Sequence, residues 1–63
     1  MADQAGPLNR NGRAAAIEYL AVMSNDMAVI ARAHGLDALG YLFEMARLEA
    51  ENLGERAREA EAR

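Results

Sequence analysis

The sequence contains no cysteine, lysine, threonine or tryptophan, and it has one proline and one histidine among its 63 residues. Without cysteine the chain forms no disulfide and no thiolate zinc site. A single histidine makes a metal centre built from this chain improbable, and no cofactor is expected. A chain near this length buries only about 60% of the surface that its unfolded state exposes. Small domains are usually stabilised further by disulfides, metals or self-association, so self-association is the expected route here.

The composition favours a helical protein. Apolar residues make up 52% of the chain and charged residues 27%, a balance that is too apolar for a disordered chain. Alanine is the commonest residue and β-branched residues are few. Alanine loses no side-chain entropy in a helix, so this balance predicts an all-α protein.

The charge distribution bears on the class of partner. The net charge is −3, and residues 36–63 set seven acidic residues against four arginines. An acidic second half argues against a nucleic-acid or anionic-membrane surface there. Charges at Glu18, Asp26 and Arg32 interrupt the apolar stretches, which fall short of the ~20 residues of a membrane span. The N-terminus also lacks the order of a signal peptide, so we expect a cytoplasmic protein with no membrane partner.

The pattern of breakers divides the chain into a lead-in and a helical hairpin over 12–63. Residues 1–11 hold the only proline and show no periodicity, which is typical of a flexible N-terminal segment. A helix is predicted over about 13–34, a turn at 35–37 and a second helix over about 38–61. Gly35 suits the positive φ at a helix end, and Asp37 is a good N-cap for the second helix. So short a connection makes the two helices antiparallel.

A repeat with spacings of four and three predicts which side of each helix contacts the other. In the first helix the predicted seam is Ala16, Leu20, Met23, Met27, Ile30 and His34. In the second helix it is Leu39, Leu42, Ala46, Ala50, Leu53, Ala57 and Ala60, with Phe43 alongside. Gly54 weakens the second helix by ~1 kcal/mol relative to alanine, and the helix is expected to continue past it.

Each helix carries a second apolar stripe that a hairpin alone would leave in water. The residues of these stripes are Tyr19, Val22 and Val29 in the first helix and Tyr41, Met45 and Leu48 in the second. Burying a Leu or Met side chain contributes roughly 1.5–3 kcal/mol, so several together favour association. We therefore predict a homodimeric four-helix bundle, with these six residues as the dimer or partner interface.

A narrower stripe on the first helix has two interpretations. Its members recur at intervals of seven and are Ala14, Glu18, Ala21, Asn25, Ala28 and Arg32. The favoured interpretation is the solvent-exposed back of an amphipathic helix. The alternative is a symmetric crossing of two first helices, in which Glu18 of one copy meets Arg32 of the other.

No catalytic arrangement is recognisable. The chain has one serine, Ser24, and no glycine-rich loop before a helix. We therefore expect a small non-enzymatic adaptor or regulator that acts through protein–protein contacts, with itself and possibly with another protein.

Two alternatives stay open at the sequence level. The first is a nucleic-acid-binding regulator that uses Arg10 and Arg13 near the N-terminus. The second is a weak metal or ligand site at His34, since histidine titrates near neutral pH. A structural role for His34 at the end of the first helix is favoured over the second alternative, because Ala31 stands where a Glu-x-x-His motif has its acid.

Overall fold

A computed structural model describes the backbone of residues 12–62 and the side chains of residues 12–60. Over this part the chain forms two α-helices and no strand: α1 spans Gly12–Ala33 and α2 spans Asp37–Ala62. The two helices pack against each other as a hairpin. The predicted all-α helical hairpin is confirmed, and α2 continues through Gly54. The predicted lead-in, residues 1–11, lies outside the described residues, as does Arg10.

The turn between the helices is built around Gly35, which has a φ of +74°. The Leu36 N–H donates to the Ala31 carbonyl at 2.8 Å, and the Gly35 N–H donates to the Arg32 carbonyl at 3.0 Å. This pair of bonds is the Schellman motif, which satisfies the carbonyls at the end of a helix. A residue with a Cβ pays a steric penalty at this φ, so glycine is required for the conformation and not merely tolerated.

The start of α2 differs from the prediction by one residue. The Gly40 N–H donates to the Leu36 carbonyl at 2.9 Å, so Leu36 occupies the N-cap position and Asp37 is already helical. Asp37 lies in the first turn of α2, where the positive end of the helix dipole favours a carboxylate. The prediction of Asp37 as the N-cap is therefore wrong, although its charge still suits the position.

Small residues make the contact between the two helices. The buried side chains are those of Ile17, Ser24, Ala28, Ala31 and Ala50. Gly40 is buried as well, and a Cβ added to it would lie 3.6 Å from the Ala28 carbonyl oxygen. A Cβ added to Gly54 would lie 3.6 Å from Cγ2 of Ile17. The backbone of α2 therefore approaches α1 closely at both glycines.

The predicted seams are wrong for most of their large residues. Ile30 of α1 is 59% exposed and Leu42 of α2 is 62% exposed, and Leu20, Met27 and Leu39 are also exposed. Ala50 is buried, as the seam predicted. The period of the pattern is helical as expected, but the contact lies on a neighbouring arc of each helix. Alanine and glycine on that arc allow the closest approach of the two backbones, and the larger side chains are left at its side.

The stripe at intervals of seven on α1 is part of this contact. Ala28 is 1% exposed and Ala21 is half-buried, so its interpretation as a solvent-exposed back is wrong for these two alanines. The helix α2 covers Ala28 and part of Ala21, whereas Glu18 and Asn25 of the same stripe are exposed, so the symmetric crossing of two first helices stays a prediction. Arg32 reaches across the contact to α2, as described below.

The hairpin is one helix thick. The Cα atoms extend over 41 × 32 × 11 Å. The shortest Cα extent is below the ~13–15 Å of two stacked helices, whose axes would lie about 8–10 Å apart with a Cα radius of ~2.3 Å on either side. Among the described residues no large side chain is fully buried. Stable domains generally enclose their core between two layers of secondary structure, and one layer has no interior of this kind.

Candidate interaction surface

One broad face of the hairpin collects the large side chains of the predicted seams. Successive residues of a helix are rotated by about 100°, so these side chains lie about a quarter turn from the contact arc on each helix. Since α1 and α2 are antiparallel, the rotation brings both stripes to the same side of the hairpin. We call this surface the apolar face. Its larger members are Leu20, Met23, Met27 and Ile30 of α1 and Leu39, Leu42 and Leu53 of α2.

The apolar face has charged residues only at its borders. By helical rotation Arg13 lies at its N-terminal end on α1, seven residues before Leu20. Glu49 lies beside Leu42 and Leu53, on the side towards the outer edge of α2. Between the large side chains lie further seam positions occupied by alanine, such as Ala16 and Ala46, and His34 lies at the turn end. Most of the large side chains are exposed, and Met23 and Leu53 are half-buried. A continuous apolar surface of this size, with charge only at its borders, is typical of a contact with another molecule.

The opposite face carries a network of ion pairs. Arg32 of α1 donates from Nη1 to Oε2 of Glu44 at 2.7 Å, and Arg47 donates from Nη2 to Oε1 of Glu44 at 2.8 Å. Arg47 also binds both carboxylate oxygens of Glu51 through Nη1, at 3.0 and 3.1 Å. Glu44 is therefore held by one arginine from each helix.

The network favours the charged forms of Glu44 and Arg47. Hydrogen bonds from Arg47 and then Arg32 lower the pKa of Glu44 below its ordinary value. Hydrogen bonds to Glu44 and then Glu51 raise the pKa of Arg47. Since the charged forms of Glu44 and Arg47 are favoured, this face is suited to contact with water, and the two broad faces of the hairpin differ in polarity.

The six predicted interface residues lie on the two outer edges of the hairpin. All six are exposed. By helical rotation, Tyr19, Val22 and Val29 lie on the side of α1 that points away from α2, and Tyr41, Met45 and Leu48 lie on the side of α2 that points away from α1. The structure therefore separates the two sets, and a single flat partner cannot cover both.

The sequence pattern assigned the apolar face to contacts within the hairpin. The signal that distinguishes this face from the outer edges is its larger number of large apolar side chains. The outer edge of α1 includes Asp26 and that of α2 includes Arg56, whereas Glu49 lies at the border between the α2 edge and the apolar face.

Two cavities lie away from the apolar face. The first is an open groove of about 520 Å³ on the outer side of α2, lined by Met45, Leu48, Glu49, Glu51, Asn52 and Glu55. The second is a cleft of about 410 Å³ between the helices, lined by Ala14, Ile17, Glu18, Ala21, Ala50, Glu51, Gly54, Ala57 and Arg58. The cleft has mostly small apolar walls with charges of both signs, and it forms where alanine and glycine leave space beside the helix contact.

The described residues of the two alternative sites, His34 and Arg13, lie at opposite ends of α1. His34 follows the last residue of α1 and is exposed. Its backbone N–H donates to the carbonyls of Ile30 and Ala31 at 3.3 and 3.2 Å. Over the described residues, no group of three or more His, Asp or Glu side chains is placed to hold a metal ion. Arg13 is exposed in the first turn of α1. The predictions for His34 and for Arg13 with Arg10 stay predictions.

The helix α1 is long and apolar enough to cross a bilayer, judged by length and composition alone. This corrects the expectation that charges such as Glu18 and Asp26 leave the stretch too polar. The core helix of a water-soluble protein and an export signal meet the same criterion. An experiment on the apolar face therefore has to test a membrane as a partner as well.

Comparisons with known proteins add no relative. No protein-family model, curated protein or solved structure matches this chain. The features that bear on its function are its own surfaces: the apolar face, the ionic face opposite to it, and the two outer edges.

Proposed function

We propose that two copies of the hairpin pair through their apolar faces into a homodimeric four-helix bundle. We further propose that this bundle is a non-enzymatic adaptor or regulator that acts through protein–protein contacts. The observation that supports the pairing is the apolar face itself, on which large side chains such as Ile30 and Leu42 are more than half exposed. Such a surface in water costs free energy in proportion to its apolar area.

A second copy is the partner that this face suits best. Because the charged residues of the face, Arg13 and Glu49, are exposed and lie at its borders, pairing the face with itself through its centre leaves no charge buried without a partner. Two single layers stacked in this way make the two-layer arrangement of a bundle. The shared surface is then isologous, as in most homodimers.

The dimensions of the face also suit a dimer. A helix with the 22 residues of α1 is about 33 Å long, and two adjacent helices together are about 20 Å wide. The footprint is therefore roughly 650 Å² per copy, close to the ~800 Å² that each partner contributes to a typical specific interface.

Matched substitutions on α2 test which surface pairs. Leu42 lies on the apolar face and Leu48 on the outer edge, and they are 62% and 49% exposed. Light scattering and sedimentation over a range of concentrations should find a dimer for the natural chain and for Leu48→Glu, and a monomer for Leu42→Glu. A dimer that withstands Leu42→Glu but not Leu48→Glu would instead assign pairing to the outer edges and overturn the proposed bundle.

A vesicle experiment tests the membrane as the competing occupant. The chain is incubated with phosphatidylcholine vesicles, which are then floated on a density gradient. The natural chain should stay at the bottom of the gradient and not rise with the vesicles, since its apolar face is covered by a second copy. Flotation of the natural chain that is lost in Leu42→Glu would assign the apolar face to lipid instead.

A further inference from the structure

The outer edge of α2 is covered neither by the hairpin contact nor by the proposed bundle. Tyr41, Met45 and Leu48 succeed one another there at spacings of four and three, and all three are exposed. The edge points away from α1, and it lies to the side of the apolar face rather than on it. A bundle formed through the apolar faces therefore leaves this edge accessible on each of its two hairpins.

The part of this edge between Met45 and Glu55 combines apolar and acidic side chains. Met45 and Leu48 line the open groove of about 520 Å³ together with Glu49, Asn52 and Glu55. Over its 26 residues α2 has seven acidic residues and three arginines. The groove therefore has an apolar part and a rim that is predominantly negative.

The nearby arginines do little to neutralise these rim acids. Arg47 is engaged by Glu44 and Glu51, at 2.8 and 3.0 Å. Arg58 approaches Glu55 only to 4.0 Å, and both side chains are largely exposed, an arrangement that contributes little. Among residues 12–60, no ion pair involves Glu49.

We propose that this edge of α2 binds a basic amphipathic helix of another protein. The apolar residues of that helix, spaced three and four apart, would pack on Met45 and Leu48, and its Lys or Arg side chains would meet Glu49 and Glu55. Apolar anchoring with a charged rim of opposite sign is a common way to recognise a helix. The proposal rests on the proposed function, in that the bundle leaves the edge open.

The charges argue against a second copy as the occupant of this edge. Pairing the edge with itself would place Glu49 and Glu55 of one copy near the same acids of the other, which is unfavourable. The outer edge of α1 offers Asp26 beside Tyr19 and Val22, so it supplies a further acid and no base. On the edge of α2, Arg56 is one base against Glu49 and Glu55, so self-pairing leaves a net repulsion. The excess of opposite charge has to come from a different protein.

Two synthetic peptides of about 18 residues, each five helical turns long, provide the probe. One has leucines along a single helical stripe with lysines elsewhere, and the other has glutamate in place of every lysine. In calorimetric titrations of the full chain, the lysine peptide should bind and the glutamate peptide should not. Binding should weaken as salt is added, because exposed charge pairs are screened.

Variants of equal charge change locate the contact. The double variant Glu49→Gln/Glu55→Gln should weaken binding of the lysine peptide about five- to tenfold. The control Glu18→Gln/Asp26→Asn removes the same charge from α1 and should change the affinity less than about twofold. The variant Met45→Ala/Leu48→Ala should also weaken binding, because it shortens the apolar anchors.

Three results would overturn the proposal: no binding of the lysine peptide, equal binding of the glutamate peptide, or an equal loss in the α1 control. Light scattering on the same samples separates this outcome from failure of the bundle. A dimer that binds neither peptide rejects the α2 edge alone. A monomer that shows the predicted peptide pattern rejects the bundle and retains the edge.

Discussion

At the scale of single residues, the two glycines within α2 have different surroundings. A Cβ added to Gly54 would make an ordinary contact with Ile17, whereas a Cβ added to Gly40 would lie 2.9 Å from Cγ of Arg32. That carbon belongs to the stem of Arg32, whose guanidinium pairs with Glu44. Gly40 is therefore needed for the path of Arg32 across α2, and nothing in the contact requires glycine at position 54.

This difference predicts opposite responses to the same substitution. Gly54→Ala should raise the free energy of unfolding by up to about 1 kcal/mol, the gain in helix propensity. Gly40→Ala should gain less or lose stability, because Arg32 has to move and its pair with Glu44 is disturbed. Urea unfolding followed by circular dichroism, at one fixed protein concentration, measures both changes.

Removal of the arginine stem provides the control. In an Arg32→Ala background the space above position 40 is open, so Gly40→Ala should there show the gain seen for Gly54→Ala. Equal gains at the two positions in the natural background would contradict the close approach of Arg32 to Gly40.

At the scale of the helices, the contact between α1 and α2 depends on small side chains. Ala28 is almost completely buried and lies opposite Gly40. A larger side chain at position 28 has to push the two backbones apart. Substitution of alanine by leucine should therefore lower the free energy of unfolding at positions of α1 that contact α2, and should change it little at exposed positions of α1.

The matched pair is Ala28→Leu and Ala33→Leu. Ala28→Leu should lower the free energy of unfolding by about 1–3 kcal/mol through overpacking. Ala33 is exposed on the same helix, so Ala33→Leu should change it by less than about 0.5 kcal/mol. Thermal unfolding of the two variants checks the difference, and a larger loss at position 33 would mean that the contact uses another side of α1.

The helices also show how far local sequence predicts this fold. The predicted ends agree within one residue with α1 and α2, because Gly35 ends α1 through its own backbone conformation and residues 13–34 contain no glycine or proline. The stripe that makes the contact was predicted wrongly. Several stripes on α1 share the spacing of four and three. Which of them contacts α2 depends on how closely the backbone of α2 can approach it, and that distance depends on the side chains of both helices.

At the scale of the whole molecule, a hairpin one helix thick has little core of its own. If the bundle supplies the rest, folding and association are coupled, and stability depends on protein concentration. The midpoint of thermal unfolding should then fall by several degrees for each tenfold dilution, since that dilution removes about 1.4 kcal/mol per dimer.

Calorimetry or circular dichroism over a hundredfold range of concentration measures this dependence. Leu48→Glu, on the outer edge, should keep the same slope as the natural chain. A midpoint that does not change with concentration, in a sample that unfolds cooperatively, would show that a single hairpin is stable by itself and would contradict the coupling.

The amino-acid sequence alone determined the helical class, the bounds of both helices and the turn at Gly35, because these depend on interactions within a few residues along the chain. It also indicated an excess of apolar surface. Only the tertiary structure decided which apolar residues carry that excess. The alanines and glycines form the contact because they let two backbones approach, and Leu20, Ile30, Leu39 and Leu42 consequently lie together on one exposed apolar face.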